Sequence, residues 1–320
     1  METNLSIEPI DVSCIIINYN TTTFTIDCVK SILNTEQSSL NYEIIIVDNA
    51  SSLEEYKLLK KEVASIKNDR IKLYRSKKNT GFGGGNMLGV QMASPCQYYA
   101  FINNDTLHLS KDTLQELKVF MDENPSIGIC SPQMLDQNKN FRVTIDHFSS
   151  LGREILRRPI LEALFPKRYL NRKIFYDKPT RVDYVQGSYM FTRAQEFNAI
   201  GGFDDNMFLY YEESDISLRL LKQHNASTFL YPNLSYIHYK NASTKKGILI
   251  KIEQKISLLY YTRKHHGYWQ HKILLLYYIL RYFFTSLVKP KYWRLFLTLL
   301  QGAPLTKSLK QKQKIINFEQ

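Results

Sequence analysis

The chain has 320 residues, of which 44% are hydrophobic and 22% are charged. This length and composition exclude a largely disordered chain and are typical of one large folded domain or two small ones. Four cysteines (Cys14, Cys28, Cys96 and Cys130) lie too far apart for a metal-binding or redox motif, which predicts buried thiols in a reducing compartment.

The net charge of +12 is unevenly distributed. Residues 240–320 contain 16 Lys or Arg and two acidic residues, so they carry +14 and the first 239 residues carry −2. This asymmetry predicts a neutral body with a basic C-terminal region that meets an anionic partner, either nucleic acid or an acidic membrane. Residues 1–11 lack the basic and apolar segments of a secretory signal, which predicts a cytoplasmic protein.

Strand and helix patterns alternate in the first hundred residues. Apolar, β-rich runs predict buried strands at 12–17, 43–47, 71–74 and 98–102. Helical spacing predicts a helix capped within 21–23, a solvated helix at 53–66 and a third helix at 87–93. This alternation predicts an α/β fold with a parallel, three-layered sheet.

Each predicted strand ends in polar residues. The first strand is followed by Asn18, Tyr19 and Asn20, the second by Asp48, and the fourth by 103–105, which reads Asn-Asn-Asp. Ligands bind at the carboxyl ends of parallel strands, and oxygen ligands without nearby cysteine suit Mg²⁺ or Mn²⁺ carrying a diphosphate. The alternative for each segment is a simple turn, because Asn and Asp bond their own backbone there.

A glycine-rich run occupies residues 79–86, which read Asn-Thr-Gly-Phe-Gly-Gly-Gly-Asn. It resembles a dinucleotide-binding fingerprint, but Asn86 stands where that fingerprint requires its third glycine. The run therefore indicates backbone close to a ligand or in a tight turn.

The alternation is expected to break down between Asp122 and Thr180. Seven cations in this segment are interleaved with apolar residues, and they predict either an acceptor-side region that touches lipid or phosphate or a solvated, partly helical insertion. These cations are Arg153, Arg157, Arg158, Lys167, Arg168, Arg172 and Lys173.

A regular pattern resumes after residue 180. A strand is predicted at 185–191, a short helix at 194–200 with a glycine stop at 201–202, and a helix beginning near residue 212. Three carboxylates, Glu212, Glu213 and Asp215, stand at the start of that helix. They suit a base kept ionised by the helix dipole, or simple capping of free amides.

Two details concern the residues around this helix. Asp215 is expected to pair with Arg219 one turn later, which favours a structural role for this carboxylate. Two short strand patterns at 228–230 and 235–237 then lead to His238, for which a simple packing role is the alternative to a functional one.

The C-terminal region is basic, aromatic and amphipathic. The apolar run 273–284 is interrupted by Arg281 and is too short for a comfortable membrane span. Basic and aromatic residues beside an apolar face predict a helix lying in the membrane interface. The alternative is a pair of helices packed on the preceding domain.

Together, these motifs resemble family 2 glycosyltransferases with the GT-A fold, and within them the bacterial rhamnosyltransferase-like enzymes that build O-antigen and capsule chains. The matching segments run from residue 12 to residue 240 in the family's order. The resemblance implies a mostly parallel sheet flanked by helices, with a catalytic domain at 1–240 and a helical, membrane-associating extension at 241–320. Within the catalytic domain, about 1–110 would bind the nucleotide sugar and about 111–240 would carry the acceptor side and the base.

The resemblance also implies roles for individual residues. Tyr19 and Asp48 match the positions that bind the donor nucleoside, Asp105 matches the metal-binding Asp, and His238 matches a position facing the metal and diphosphate. The base is implied at Glu213, where relatives usually carry Asp, with Glu212 and Asp215 in the same block. The implied donor-binding set is Asn18, Tyr19, Asn20, Asp48, Asn79, Gly81, Asn86, Asn103 and Asn104.

The implied reaction is an inverting, metal-dependent transfer at the inner membrane face. A dTDP-, UDP- or GDP-linked hexose, rhamnose or another, would move to a hydroxyl of a lipid-linked glycan with Mn²⁺ or Mg²⁺ as cofactor, and the anionic membrane rather than nucleic acid would be the partner. Two rivals are a nucleotidyltransferase on a similar sheet, which would not require the block at 212–215, and a protein that binds nucleic acid through its basic tail.

Overall fold

The computed structural model describes residues 10–239 and 247–316. Its first part is the predicted alternation of strands and helices, and this prediction is confirmed. The elements are β1 (Ile10–Asn18), α1 (Thr22–Thr35), β2 (Tyr42–Asp48), α2 (Leu53–Ile66), β3 (Ile71–Arg75), α3 (Gly81–Met92) and β4 (Cys96–Asn103). These four strands are parallel, in the order β3-β2-β1-β4. Their carboxyl ends therefore lie along one edge of the sheet.

Helices cover both faces of this parallel half. Every residue of β2 is buried, and the apolar residues of β1 and β4 divide between two cores, one on each side of the sheet. Strands buried on both faces read as continuous apolar runs rather than as an alternation, which is why they could be identified from the sequence.

The glycine run differs from its prediction. Helix α3 begins at Gly81, six residues earlier than expected, so the run forms the first turns of a helix. A Cβ on Gly89 would lie 2.4 Å from Ile15 Cγ2, and one on Gly81, whose φ is +77°, would lie 2.1 Å from the Phe208 carbonyl oxygen. Glycine thus permits close helix–strand contact as well as the tight turn that was predicted.

The middle of the chain is more regular than expected. After β4 come β5 (Thr106–His108), α4 (Thr113–Glu123), β6 (Ile127–Leu135), β7 (Ile145–Asp146), α5 (Leu151–Leu156) and α6 (Arg158–Leu164). The prediction that the alternation breaks down between Asp122 and Thr180 was wrong for the first part of that segment, because β6 is a buried strand in the middle of the sheet. Pro132 interrupts the strand pattern in the sequence of β6. In the structure Pro132 faces Tyr231 of the neighbouring strand, and the register between the two strands shifts directly after Tyr231.

The sheet is completed by antiparallel additions. The later elements are β8 (Thr180–Val182), β9 (Tyr184–Val185), β10 (Tyr189–Arg193), α7 (Ala194–Ala199), α8 (Glu212–His224) and β11 (Ser227–His238). The single strand predicted at 185–191 is divided between β9 and β10. The full order is β3-β2-β1-β4-β10-β6-β11-β5, with β8 also paired to β11. The sheet is mostly parallel: β1 to β4, β6 and β11 run in one direction, and β10, β5 and β8 run in the opposite direction.

The C-terminal region is helical, as predicted. It contains α9 (Ile248–Val288), which is kinked at Gly267 where φ is +84°, and α10 (Trp293–Leu300). Its buried face joins a core that reaches Leu151 and Tyr211 of the preceding part. The buried face of these helices therefore packs on the preceding domain, which was the alternative to a helix lying in the membrane interface.

Within residues 10–239 and 247–316, the structure contains no helix with the length and apolar character needed to cross a membrane.

Candidate functional site

A cavity of about 1130 Å³ opens at the carboxyl ends of β1 and β4. Six of the nine predicted donor-binding residues line it: Tyr19, Asn20, Asn79, Gly81, Asn103 and Asn104. Both predicted metal ligands, Asp105 and His238, line it as well. We call this the large cavity.

The other three predicted donor residues lie behind its wall. Asn18 and Asp48 face each other across β1 and β2, and Asn18 Nδ2 donates to Asp48 Oδ1 at 3.0 Å. The Arg75 guanidinium lies 3.3 Å from Asp48 Oδ2. Asn86 is buried inside α3, where its side chain donates to the Phe82 carbonyl at 3.1 Å. These contacts position the cavity wall, and the predicted roles of the three residues in donor binding stay predictions.

Asn49 is a structural residue of this wall that the sequence analysis did not single out. Its Nδ2 donates to the Gly81 carbonyl at 3.0 Å, and its Oδ1 accepts from the Thr80 amide at 3.0 Å. The side chain therefore ties the end of β2 to the start of α3. The C-terminal region also contributes to the wall through Ile248, Leu309 and Gln313, which no local motif indicated.

Asp105 and His238 meet at the edge of the large cavity. Asp105 immediately precedes β5, whose first residue, Thr106, pairs with His238 at the end of β11, and His238 Nε2 is 3.1 Å from Asp105 Oδ1. The other ring nitrogen of His238, Nδ1, is buried and has no hydrogen-bond partner among the residues that the structure describes. Across the same described residues, no group of three or more His, Cys, Asp and Glu side chains forms a metal cage.

A second cavity of about 380 Å³ adjoins the first, and we call it the small cavity. The two cavities share Phe82, Asn103, Leu209 and His238. Glu212 and Glu213 line the small cavity, together with Tyr184, Gln186 and Ser188. The structure thus brings the predicted metal ligands and two of the three predicted catalytic carboxylates to one continuous cleft.

The backbone that delivers these carboxylates is unusual. Tyr210 and Tyr211 both adopt left-handed conformations, with φ of 75° and 73°. Such a conformation costs a non-glycine residue about 1–3 kcal/mol and persists only where its surroundings require it. It turns the chain sharply into α8, so that Glu212 and Glu213 form the first turn.

The environments of the two glutamates differ. Glu212 is only 2% exposed, and burial together with the adjacent Glu213 raises its pKa far above the usual range. Glu213 is partly exposed. Burial raises the pKa of Glu213 to about 7, and the Asp146 carboxylate adds to this rise while Arg153 opposes it. Of the pair, Glu213 is therefore the accessible carboxylate that titrates near neutral pH.

Asp146 and Arg153 are neighbours of this site that local sequence patterns did not reveal as a pair. Arg153, predicted as a cation touching lipid or phosphate or lying in a solvated insertion, is 3% exposed. Its guanidinium lies 3.3 Å from Asp146 and 3.1 Å from Glu154. Both residues line the small cavity, and their charges act on Glu213 in opposite directions.

Asp215 is placed differently from the other two carboxylates. It is fully buried, and Arg219 Nε donates to it at 2.7 Å, so the predicted pair is confirmed. Lys264 and His265 of α9 also contact Asp215, at 2.6 and 2.7 Å. Burial would raise the pKa of Asp215, but the hydrogen bond from His265 and the charge of Arg219 outweigh it and lower the pKa. Asp215 therefore joins α8 to the C-terminal helices.

Replacing Asp215 should lower stability more than rate. We expect Asp215→Asn to reduce the free energy of unfolding by about 3 kcal/mol, because it leaves buried cations without their carboxylate. The check is urea denaturation, with the rate measured per folded molecule. Asp205→Asn is a matched control, because Asp205 is 76% exposed where it meets Lys310. An unchanged midpoint for Asp215→Asn would contradict the structural role.

The model of the family described as "Glycosyl transferase family 2" matches residues 13–194, which is more than half of the chain. Rhamnosyltransferase WbbL of Escherichia coli is 28% identical over 244 residues, covering 68% of this chain and 81% of that protein. Low-salt glycan biosynthesis hexosyltransferase Agl10 of Haloferax volcanii is 26% identical over 220 residues, covering 67% of this chain and 62% of that protein.

A third relative is N-acetylglucosaminyl-diphospho-decaprenol L-rhamnosyltransferase of Mycobacterium tuberculosis. It is 29% identical over 91 residues, covering 28% of this chain and 29% of that protein. The chain thus spans less than two thirds of the length of the Haloferax and mycobacterial relatives.

Solved structures agree on the fold. GalNAc-T7, crystallised with UDP, GalNAc and Mn²⁺, superposes with a TM-score of 0.62 at 14% identity, covering 92% of this chain and 55% of that one. S. aureus TarS 1-349 in complex with UDP superposes with a TM-score of 0.51 at 14% identity, covering 79% of this chain and 66% of that one. The predicted GT-A fold and the predicted family are both confirmed: the chain belongs to glycosyltransferase family 2 and is similar to its rhamnosyltransferases.

Proposed function

We propose that this chain is an inverting, metal-dependent hexosyltransferase. It would move rhamnose or another hexose from a dTDP-, UDP- or GDP-linked donor to a hydroxyl of a growing lipid-linked surface polysaccharide. The observation that carries the proposal is the pair of adjoining cavities that share Asn103 and His238. One holds Asp105 and the other holds Glu213, so donor and acceptor can meet between them.

The large cavity suits the donor. Asp105 and His238 offer one oxygen ligand and one nitrogen ligand. Mn²⁺ binds such a mixed set more readily than Mg²⁺, which prefers oxygen ligands. Two protein ligands leave room for diphosphate oxygens, which is how such ions are commonly held beside phosphates. The Nδ1 of His238 is buried and has no hydrogen-bond partner within the described surroundings, so the ring's polar contact with Asp105 is made through Nε2. A bound divalent cation would neutralise the diphosphate and make it a better leaving group.

The small cavity suits the acceptor. Glu213 would take the proton of an acceptor hydroxyl while the hydroxyl oxygen bonds to the anomeric carbon. The bond from that carbon to the donor diphosphate breaks in the same step, on the opposite face, so the configuration inverts. Burial raises the pKa of Glu212 far above the usual range and that of Glu213 only to about 7, so Glu213 is the more readily ionised of the two and is the base in this proposal.

The relatives support the substrate classes. GalNAc-T7 and TarS were crystallised with UDP, which supports a nucleotide-linked donor. The name of the mycobacterial relative contains a decaprenol-linked diphosphate sugar, which supports a lipid-linked acceptor.

A screen of donors tests the proposal. We expect dTDP-, UDP- or GDP-linked hexoses to raise the melting temperature only with Mn²⁺ or Mg²⁺, because a ligand that binds the folded state alone stabilises it. Slow metal-dependent hydrolysis of the same donor should accompany this shift. Release of pyrophosphate from a nucleoside triphosphate and a sugar phosphate would instead favour a nucleotidyltransferase. No response to any of these donors would contradict the proposal.

We also propose that the protein works at the cytoplasmic face of the membrane. One side of α9 exposes a continuous stripe, which we call the outer apolar face. It consists of Trp269, Ile273, Leu276, Leu280, Phe284 and Leu287, each between 49% and 76% exposed. The spacing of three and four residues places them on one side of the helix. Nearby cations, Lys272, Lys289, Lys291 and Arg294, suit the headgroups of an anionic leaflet.

Charges on this stripe should release the protein from membranes. We expect Leu276→Asp with Leu280→Asp to weaken binding to phosphatidylglycerol-containing vesicles by at least about tenfold, because each lost leucine contact is worth about 1.5–3 kcal/mol. Co-sedimentation measures this change. Leu58→Asp on α2 is the control, because Leu58 is 42% exposed but lies outside the stripe. Equal binding of all variants would argue against the stripe, and salt-sensitive retention on DNA would favour nucleic acid.

A further inference from the structure

A third cavity, of about 450 Å³, lies between α5–α6 and α9, and we call it the basic pocket. Seven Lys or Arg side chains line it, against a single carboxylate, Glu154. The mechanism above uses none of these cations to bind substrate. A concentration of positive charge in a concave site attracts anions, so the question is which anion it would take.

Three of the cations are already neutralised. Arg153 contacts Asp146 and Glu154, Arg158 lies 2.7 Å from Asp146, and Arg172 lies 2.8 Å from Glu162. These pairs hold one wall of the pocket in place. They leave little positive charge for a ligand.

The other four cations are Arg157, Lys251, Lys255 and Arg281. Among residues 10–239 and 247–316, none of them has a carboxylate within 4 Å. Lys255 lies over the Tyr278 ring at 3.9 Å, and Lys251 donates to the Tyr292 hydroxyl. Neutral rings hold these ammonium groups in position without cancelling their charge.

Lys255 lies in a buried and strongly charged part of this pocket. Burial lowers its pKa to about 8, the Glu154 carboxylate opposes this fall, and repulsion from Arg281 and Arg153 adds to it. An anion in the pocket would offset this repulsion. The four unpaired cations are more than enough to balance the roughly two negative charges of a diphosphate esterified at both ends, and arginine can bind its oxygens through two parallel hydrogen bonds.

The position of the pocket indicates what carries that diphosphate. It shares Arg153, Arg158 and Gln254 with the small cavity, where Glu213 stands. Arg281, which lines the pocket, lies next in sequence to Leu280 of the outer apolar face. The pocket is therefore connected to the site of the acceptor hydroxyl through shared residues, and to the surface that we assign to the membrane through α9.

We propose that the basic pocket binds the diphosphate that joins the acceptor sugar to its lipid, with Arg281 and Lys255 as its main contacts. This inference rests on the proposed function, and it assigns a separate site for a second diphosphate, distinct from that of the donor at Asp105. The sugar would then reach the small cavity and the lipid chain would follow the outer apolar face. The diphosphate itself is not cleaved.

Direct binding tests this inference without any transfer reaction. Farnesyl diphosphate in nonionic detergent micelles is the probe, titrated by calorimetry with EDTA present so that no metal-bound diphosphate can form at Asp105. We expect Arg281→Gln and Lys255→Met each to raise its Kd by about tenfold or more, since each removes a charge-assisted bond to phosphate. Farnesol, which lacks the diphosphate, should bind all variants equally.

Arg263→Gln is the matched control. Arg263 is also exposed on α9 and lies beside a tyrosine ring, 4.9 Å from that of Tyr268, but it does not line the pocket. Its Kd for farnesyl diphosphate should stay within about twofold of the unmodified protein. Melting temperatures check that Lys255→Met, which keeps the aliphatic stem, and the exposed Arg281→Gln are folded.

A second arm separates the two sources of phosphate. If the pocket takes phospholipid headgroups instead, Arg281→Gln would weaken binding to phosphatidylglycerol vesicles and leave farnesyl diphosphate binding in micelles unchanged, and the inference would be wrong. Equal Kd values for Arg281→Gln, Lys255→Met and Arg263→Gln would also overturn it. Failure of every nucleotide sugar to bind would count against the proposed function alone, because this titration needs no donor.

Discussion

Asp105→Asn is expected to abolish metal-dependent turnover while leaving the fold intact. Asn keeps the size of the side chain and can still lie beside His238 Nε2, 3.1 Å away in the structure. It removes the only negative charge of the candidate metal pair. Because a bound cation contributes several kcal/mol to leaving-group stabilisation, we expect turnover to fall by at least about 100-fold.

The decisive readout is donor binding rather than rate. In the unmodified protein, Mn²⁺ should strengthen the binding of the cognate nucleotide sugar, and in Asp105→Asn this strengthening should be absent. Asp69→Asn is the control, because Asp69 is exposed just before β3, at the opposite edge of the sheet from the large cavity. A Mn²⁺ response that survives in Asp105→Asn would place the ion elsewhere.

The parallel half of the fold could be predicted because its signals are local. Strands β1 and β2 are buried on both faces, so each is a continuous apolar run, and each ends in polar residues that reach one edge. The start of α3 could not be predicted in the same way. Glycine has low helix propensity, and the contacts made by the first turns are with distant residues: a Cβ on Gly85 would lie 3.0 Å from Ile17, and one on Gly83 would lie 3.2 Å from Phe203.

The rest of the fold depends on contacts that no short segment contains. Strand β6 carries Pro132, which weakens its pattern, and its place between β10 and β11 is set by pairing across distant parts of the chain. Asp146 and Arg153 come near Glu213 only through tertiary packing, across some sixty residues of sequence. Their effect on the pKa of Glu213 could therefore not be read from the block at 212–215.

The role of Glu213 is the prediction on which the chemistry depends most. Glu213→Gln keeps the size of the side chain and most of its hydrogen bonding but removes the proton acceptor. We expect transfer to an acceptor sugar to fall by about 10²–10⁴-fold with donor affinity little changed. The free energy of unfolding should not fall. Burial raises the pKa of Glu213 because it disfavours the charged form, so replacing the carboxylate removes an unfavourable desolvation and breaks no favourable ion pair among the residues that the structure describes.

The pH profile provides an independent check on the same residue. Glu213 must be ionised to accept a proton, so with a pKa of about 7 the transfer rate should rise with pH through neutrality and level off above it. The free energy of unfolding should change in the opposite direction to the rate. The folded state holds the proton of Glu213 more tightly than the unfolded state does, so the stability that this proton contributes is lost as the pH rises towards 7. Glu213→Gln should remove this titration from both measurements.

Two further variants identify which carboxylate is the base. Glu213→Asp restores the residue that relatives usually carry and should retain far more activity than Glu213→Gln, although the shorter side chain moves the carboxylate by about one bond length. Glu212→Gln should cost little, because burial raises the pKa of Glu212 far above the usual range and the amide then replaces the less readily ionised carboxyl of the pair. If Glu212→Gln were inactive while Glu213→Gln transferred sugar normally, the base would be Glu212, and the accessible position of Glu213 in the small cavity would serve to orient the acceptor instead.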